Sequence, residues 1–257
     1  MRGLLFFVLL SLAAVARPAR ELPVLCYHQV APARMGDDMV IDPETFEAHL
    51  QYLKRNGYHS LSLRQAQQFL WGRIELPEHP VLITFDDGYQ GVYRSALPLL
   101  RKYHQRAVVF LVVGHIGDKK AATPHLSLAE LRALKASGLI EFGSHTYDLH
   151  VLIPERLAGH HVYPAQILAD LKKSRSELKR LLGVDAQALA WPYGHYNRLC
   201  TQLGARAGFR CQFTTDYGRN RPFQGTSRIR RIRVSANSND VATLDWKLRH
   251  PELSKLP

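Results

Sequence analysis

The sequence predicts an α/β protein whose parallel strands are joined by helical crossovers, in a barrel or a doubly wound sheet. Apolar runs of strand length alternate with helical patterns along most of the chain, which is the order that repeated βα units produce. The length of 257 residues, with 46% hydrophobic and 22% charged residues, suits one globular domain with a substantial core. We see no repeat or low-complexity tract that would divide it.

Cap residues and apolar runs predict the bounds of the individual helices and strands. The first helical pattern begins at Pro43, after the cap residue Asp42, and ends at Gly57. Ser127 and Glu130 predict a capping box for a later helix. The other predicted strands lie at 58–63, 80–85, 107–113, 140–144, 188–191 and 210–215, and the other helices at 64–71, 93–104, 128–137, 165–182 and 198–207.

The amino terminus differs from the rest of the chain. An apolar run from Leu4 to Ala16 is shorter than the roughly 20 residues that span a bilayer, and its Ala-Val-Ala end is typical of a secretory signal peptide. Arg17-Pro18 is a poor cleavage context, so an uncleaved membrane anchor stays as the alternative. We expect a signal segment at 1–16, a folded domain at 17–257, and export to the periplasm or the cell exterior.

The formal net charge of +12 favours anionic neighbours such as lipid headgroups and acidic glycans. Peripheral membrane contact is therefore expected, but nucleic acid is not, because the cations are dispersed and Arg228–Val234 alternates like a strand with one solvated face. Cys200 and Cys211 are close enough in sequence to close a small loop, yet with Cys26 the three cysteines do not describe a disulfide framework.

Asp86 and Asp87 directly follow the apolar strand 80–85, and Gly88 lets the chain turn away after them. In both predicted architectures, catalytic groups gather at the carboxyl ends of the strands. The alternative is an ordinary turn, for which Asp-Asp-Gly is common. Two adjacent carboxylates are held at modest cost if one of them binds a cation.

His145 follows the strand 140–144, and His150 lies five residues later. Together with one carboxylate, two imidazoles make a mixed nitrogen and oxygen set that suits zinc or a similar divalent metal, with positions left open for water and substrate. A lone histidine is more often a surface or core residue, and the chain has 13 of them. This pair is distinguished by its place at a strand end.

Three motifs now resemble a known family: "TFDDG" at 84–88, "SHTYDLH" at 144–150 and "WPYG" at 191–194. In this order they look like the motifs of the polysaccharide deacetylases, also called NodB-homology domains or carbohydrate esterase family 4. The stretches "PVLCYHQV" and "FEAHLQYLKRNGYHSLSL" look most like the branch that deacetylates poly-β-1,6-N-acetylglucosamine in biofilms. The resemblance implies a distorted (β/α)7-type barrel and metal-dependent removal of acetyl groups from an N-acetylglucosamine polysaccharide.

The resemblance also implies roles for residues. By position, Asp86 is the general base, and Asp87, His145 and His150 are ligands of a divalent metal, zinc first and cobalt, nickel or iron as alternatives. His28, in "LCYHQV", takes the role of the proton donor to the departing amine, which most of the family assigns to a histidine near the carboxyl terminus.

The third motif implies a backbone N–H near Tyr193 for the developing oxyanion. Tyr193 and Trp191 are expected to line the sugar subsite, with core packing of Trp191 as the alternative. The arginine that usually orients the base is Ala190 here, so another group must hold Asp86. Asp216 is a candidate for that task, and a turn residue is the alternative.

Other functions stay open on the sequence alone. The chain could be a catalytically weak glycan-binding or scaffold protein of an exopolysaccharide system, with export proteins as its partners. It could also deacetylate peptidoglycan or chitin oligomers, or hydrolyse a different bond such as an ester or a cyclic amide.

Overall fold

The computed structural model describes residues 18–32, 37–121, 123–149, 164–236 and 240–250. The strands are β1 (Val24–Tyr27), β2 (Gln29–Val30), β3 (Val40–Ile41), β4 (His59–Ser60), β5 (Pro80–Phe85), β6 (Ala107–Leu111), β7 (Ile140–Ser144), β8 (Ala188–Ala190), β9 (Cys211–Phe213) and β10 (Ile232–Arg233). The helices are α1 (Pro43–Arg55), α2 (Leu63–Leu70), α3 (Leu97–Tyr103), α4 (Leu128–Ala136), α5 (Pro164–Leu182), α6 (Arg198–Arg206) and α7 (Val241–Arg249).

One curled parallel sheet forms the centre of the molecule. Its strands follow the order β10-β1-β5-β6-β7-β8-β9, with β4 paired to β5. Ile232 of β10 pairs with Leu25 of β1, while Ile229, just before β10, bridges Phe213 of β9. The segment 229–233 therefore contacts both edge strands and closes the sheet into a distorted barrel. The predicted class of parallel strands with helical crossovers is confirmed.

The strands are continuous apolar runs because both of their faces are covered. All six residues of β5 are buried, as expected for a parallel strand between two layers. The first helix begins as predicted, with the Asp42 side chain accepting a hydrogen bond from the Thr45 amide and Pro43 in the first turn. Parallel pairing then brings the carboxyl ends of β1, β5 and β7 to one rim of the barrel.

The strand predicted at 58–63 is shorter than expected, since only His59–Ser60 pairs, with β5. The physical reason is a capping box: Ser62 and Gln65 exchange side-chain and backbone hydrogen bonds and start α2 at Leu63.

The strand predicted over 228–234, with its arginines on one solvated face, is also wrong. Only Ile232–Arg233 is a strand, and Arg231 is buried, with 1% of its surface exposed. The chain passes from β9 to β1 between Ile229 and Ile232, so the alternation of a regular strand is interrupted there.

The predicted signal segment 1–16 lies outside the described residues. Among the residues that are described, none belongs to a helix long and apolar enough to span a bilayer. Cys26, Cys200 and Cys211 are all buried free thiols, so the loop that Cys200 and Cys211 could have closed is not cross-linked.

Candidate active site

Four predicted site residues meet at one rim of the barrel. Tyr27 pairs with Phe85 across β1 and β5, which sets the next residues, His28 and Asp86, side by side. The Asp86 amide continues this ladder by donating to the Tyr27 carbonyl at 2.9 Å. His28, Asp86, Asp87 and His145 are all buried, each at most 8% exposed. The structure thus brings together the residues that the sequence placed at separate strand ends.

A left-handed turn separates the two adjacent aspartates. Asp87 has φ +69° and Gly88 has φ +77°, and the Gly88 amide donates to the Asp86 carbonyl at 2.8 Å. A Cβ on Gly88 would lie 2.6 Å from a methyl carbon of Leu111, which has 1% of its surface exposed. Only glycine fits there, and the turn directs the two carboxylates to different partners.

Asp86 is held by Arg231. The two terminal guanidinium nitrogens each donate to one Asp86 oxygen at 2.7 Å, in a bidentate pair with 1% and 3% exposed side chains. Arg231 is itself fixed by its Nε, which donates to the Thr214 carbonyl at 2.7 Å. Burial alone would raise the pKa of Asp86, but the Arg231 charge and hydrogen bonds, with the nearby imidazoles, hold that pKa below its ordinary value.

Asp87 faces His145 instead. The His145 Nε2 lies 3.3 Å from Asp87 Oδ1, and His145 Nδ1 lies 2.8 Å from the Ala190 carbonyl. A carbonyl can only accept, so Nδ1 carries a proton and, in a neutral ring, Nε2 would be an acceptor facing another acceptor. The contact therefore needs a proton or a cation between the two atoms.

Protonation of His145 is one way to meet that requirement. Burial by itself lowers the pKa of His145, but the Asp86 and Asp87 carboxylates outweigh it and hold this pKa above its ordinary value. A metal ion can take the place of this proton, since imidazole nitrogen and carboxylate oxygen are common ligands of zinc. The Ala190 carbonyl would then fix the ring orientation. His150, the third predicted ligand, lies outside the described residues.

A second group, formed by Cys26, His28 and Asp86, has ligand atoms within 4.8 Å of one another. This group is a poorer cation site for two reasons. Both Asp86 oxygens already accept from a guanidinium, and burial raises the pKa of the Cys26 thiol far above neutrality, which keeps it protonated. The Cys26 thiol instead lies 3.6 Å from Asp86 as a donor.

His28 lies close to Asp86, and one nitrogen of its buried imidazole, Nδ1, lacks a hydrogen-bond partner among the described residues. Burial lowers the pKa of His28, and the Asp87 and Asp86 carboxylates offset this only partly. Once protonated, such an imidazole gives up its proton readily.

The two predicted site residues of the third motif lie in different environments, one buried and one exposed. Trp191 is fully buried, and its indole N–H donates to Gln212 at 3.1 Å, so the expectation that it lines a sugar subsite is wrong and the packing alternative holds. Tyr193 has 54% of its surface exposed and a left-handed φ of +56°, which leaves its ring accessible to a ligand. Its role toward an oxyanion stays a prediction.

The Asp216 side chain does not hold Asp86. Its exposed carboxylate accepts from the Tyr196 hydroxyl at 2.6 Å, and its backbone carbonyl accepts from the Arg231 amide at 2.9 Å. The orienting group is Arg231, which sequence reasoning missed. One signal was present: the adjacent Arg230 and Arg231 break the alternation of Arg228–Val234, so both cannot face the same side.

Comparisons with known proteins point to one family. A family model described as polysaccharide deacetylase matches residues 73–212. The chain is 31% identical over 209 residues to the poly-beta-1,6-N-acetyl-D-glucosamine N-deacetylase of Staphylococcus epidermidis, covering 80% of this chain and 72% of that protein.

Solved structures share the fold over most of the chain. IcaB from Ammonifex degensii has a TM-score of 0.78 and 31% identity, covering 89% of this chain and 97% of that one. The Streptococcus pyogenes deacetylase PplD has a TM-score of 0.78 and 26% identity, covering 92% and 100%.

The fold and the matches together define a hydrolase that acts on an amide bond. The chain belongs to the polysaccharide deacetylase family, the NodB-homology or carbohydrate esterase family 4 group.

Proposed function

We propose that this protein removes acetyl groups from an N-acetylglucosamine polysaccharide, with poly-β-1,6-N-acetylglucosamine of a biofilm matrix as its substrate, and that a divalent metal is required. The substrate is suggested by the relative from Staphylococcus epidermidis, whose name states this activity. The observation that carries the chemistry is the separation of two adjacent carboxylates, Asp86 toward Arg231 and Asp87 toward His145.

Asp87 and His145 are the proposed metal ligands within the described residues, and His150 is the third by its place in the motif. The mixed oxygen and nitrogen donors favour zinc, with cobalt, nickel or iron as alternatives. When bound, the metal supplies a Lewis acid that polarises the acetamide carbonyl and lowers the pKa of water.

Asp86 is the proposed general base. It takes one proton from the water that attacks the acetamide carbonyl carbon, and its low pKa keeps it ionised and ready at neutral pH. The bidentate Arg231 pair fixes the carboxylate plane, so the base does not reorient during the reaction. This supports Arg231 as the group that orients Asp86, a role that the family usually gives to an arginine at the position of Ala190.

The second half of the reaction breaks the carbon–nitrogen bond, and the sugar amine must gain a proton as acetate leaves. His28 is the proposed donor. Its nitrogen lies within 4.8 Å of a carboxylate oxygen of Asp86, a short path for the proton that Asp86 has taken. Its lowered pKa makes protonated His28 a strong donor. The backbone N–H of Tyr193 is proposed to face the developing oxyanion.

The proposed location is outside the cytoplasm, on the basis of the apolar run at Leu4–Ala16. The substrate and the export proteins of an exopolysaccharide system are the proposed partners, and the charge of +12 supports contact with anionic membrane surfaces.

The test is acetate release by the purified protein from three glycans: β-1,6-linked N-acetylglucosamine oligomers, chitin oligomers and peptidoglycan, each with and without a chelator. We expect the β-1,6 oligomers to be the best substrate and the chelator to stop their turnover. Faster release from chitin or peptidoglycan would replace the proposed substrate, and chelator-resistant release would remove the metal.

A further inference from the structure

Asn220 is a fully buried side chain outside the catalytic rim, and all four hydrogen-bonding positions of its amide are used. Its nitrogen donates to the carbonyls of Leu22 at 3.2 Å and Arg230 at 3.0 Å. Its oxygen accepts from the Arg230 amide at 2.8 Å and from the Gln224 side chain at 2.7 Å. Two of these bonds reach the same backbone residue, Arg230.

That residue lies where the chain changes its partner strand. Ile229 bridges β9, and Ile232 pairs with β1, so residues 230 and 231 span the gap between the two edges of the sheet. The Asn220 amide binds both polar groups of the Arg230 backbone, in place of a neighbouring strand. The next amide, of Arg231, donates to the Asp216 carbonyl.

Asn220 is also attached to the start of the barrel. Its backbone exchanges two hydrogen bonds with Leu22, at 2.8 and 3.1 Å, two residues before β1. Asn220 thus ties the entry of β1 to the segment that carries Arg231. Arg231 directly follows Arg230, the residue whose backbone Asn220 holds.

We propose that Asn220 is a positioning residue for catalysis, acting through Arg231 on the orientation of Asp86. This inference rests on the proposed function of Asp86 and goes beyond it, because Asn220 touches neither Asp86 nor a metal ligand. Aspartate at this position would keep the acceptor oxygen but place a second acceptor against the two carbonyls of Leu22 and Arg230.

The test is a double-mutant cycle on acetate release from β-1,6-linked N-acetylglucosamine oligomers. We expect Asn220→Asp and Asn220→Ala to lower kcat by about 10- to 100-fold with KM and metal content unchanged, since small misplacements of a catalytic group have effects of this size. In the Arg231→Ala background, the same substitutions are expected to change kcat by less than about twofold, because the two residues act as one unit. A milder variant, Gln224→Met, removes one bond of Asn220 and is expected to lower kcat by about two- to threefold.

The control is Ser62→Ala, which removes the side-chain cap of α2; among the described residues its hydroxyl bonds only Gln65, away from the segment 229–233. It is expected to lower the melting temperature and to leave kcat unchanged at a temperature where both proteins are folded. A loss of kcat in the Asn220 variants that persists undiminished in the Arg231→Ala background would overturn the proposal. So would wild-type kcat in a folded Asn220 variant or, if neither folds, in Gln224→Met.

Hydrogen–deuterium exchange separates failure of this inference from failure of the proposed function. If the wild type releases no acetate from any glycan, the proposed function fails. Faster exchange across residues 226–233 in the Asn220 variants, with unchanged exchange in α5, would then still support the tie. Unchanged exchange at 226–233 would contradict it whatever the activity.

Discussion

Arg231 and Asp86 form a bidentate ion pair inside the barrel, although 145 residues separate them in the chain. The pair joins the segment that closes the sheet to the end of a central strand. It supplies, from a different place in the sequence, the orienting guanidinium that the family resemblance leads one to seek at Ala190. The segment that closes the barrel therefore also holds the carboxylate of the proposed base.

Removal of Arg231 should destabilise the protein strongly. Arg231→Met leaves a buried carboxylate without its partner, and we expect the free energy of unfolding to fall by about 3–5 kcal/mol, as measured by urea denaturation. The matched control is Arg180→Met, whose ion pair with Glu177 is on the surface, with the arginine 65% exposed, and which should leave the free energy of unfolding close to that of the wild type. Equal effects of the two substitutions would contradict a structural ion pair at Asp86.

Stability should depend on pH through His145 when no metal is bound. The folded-state pKa of His145 is raised, so its contribution is complete below the unfolded value of about 6.5 and is lost as the pH rises through the folded value. The melting temperature of metal-free protein should therefore fall as the pH rises above about 6.5. Added zinc should restore it, because the metal replaces the proton.

His145→Gln should reduce this slope in the metal-free protein, whereas His59→Gln, on the exposed surface, should leave it unchanged. A wild-type melting temperature that rises over the same pH range would show that His145 is neutral in the folded state.

Much of this site could be predicted because strand ends are visible in a sequence. The apolar runs before Asp86 and before His145 place both residues at the carboxyl rim of a parallel sheet, and the family motifs separate the two aspartates. Arg231 could not be found in this way. Its burial depends on a change of partner strand between Ile229 and Ile232, which is a property of the closed barrel and not of any local pattern.

Trp191 shows a second limit of prediction from the sequence. An aromatic residue in a catalytic motif suits both a sugar subsite and a core, and the sequence cannot separate the two. The fold decides, since Trp191 is fully buried in the core and its indole N–H donates to Gln212.

Gly88 should be intolerant of any side chain. Gly88→Ala places a Cβ 2.6 Å from Leu111 in addition to a left-handed φ of +77°. The matched control is Gly138→Ala, with φ +70° and no atom within 4 Å of the added Cβ, which should cost only the backbone term of about 1–2 kcal/mol. We expect Gly88→Ala to cost about 1–3 kcal/mol more, by urea denaturation. Equal costs would mean that Leu111 moves aside freely.

Replacement of His28 tests the proton donor separately. His28→Ala should lower kcat for acetate release by about 10²- to 10⁴-fold, the usual contribution of a general acid, and should leave the metal content unchanged. The readouts are acetate release and elemental analysis of the same preparation. A rate close to that of the wild type would assign the proton donor to a different residue.

The most direct test of the account compares the two adjacent aspartates in metal-loaded protein. Acetate release from β-1,6-linked N-acetylglucosamine oligomers and bound metal are measured together for Asp86→Asn and Asp87→Asn. We predict that Asp86→Asn keeps its metal and loses about 10²- to 10⁴-fold in kcat, whereas Asp87→Asn loses both metal and turnover. Undiminished turnover in Asp86→Asn, or full metal content in Asp87→Asn, would contradict the division of roles between the two carboxylates.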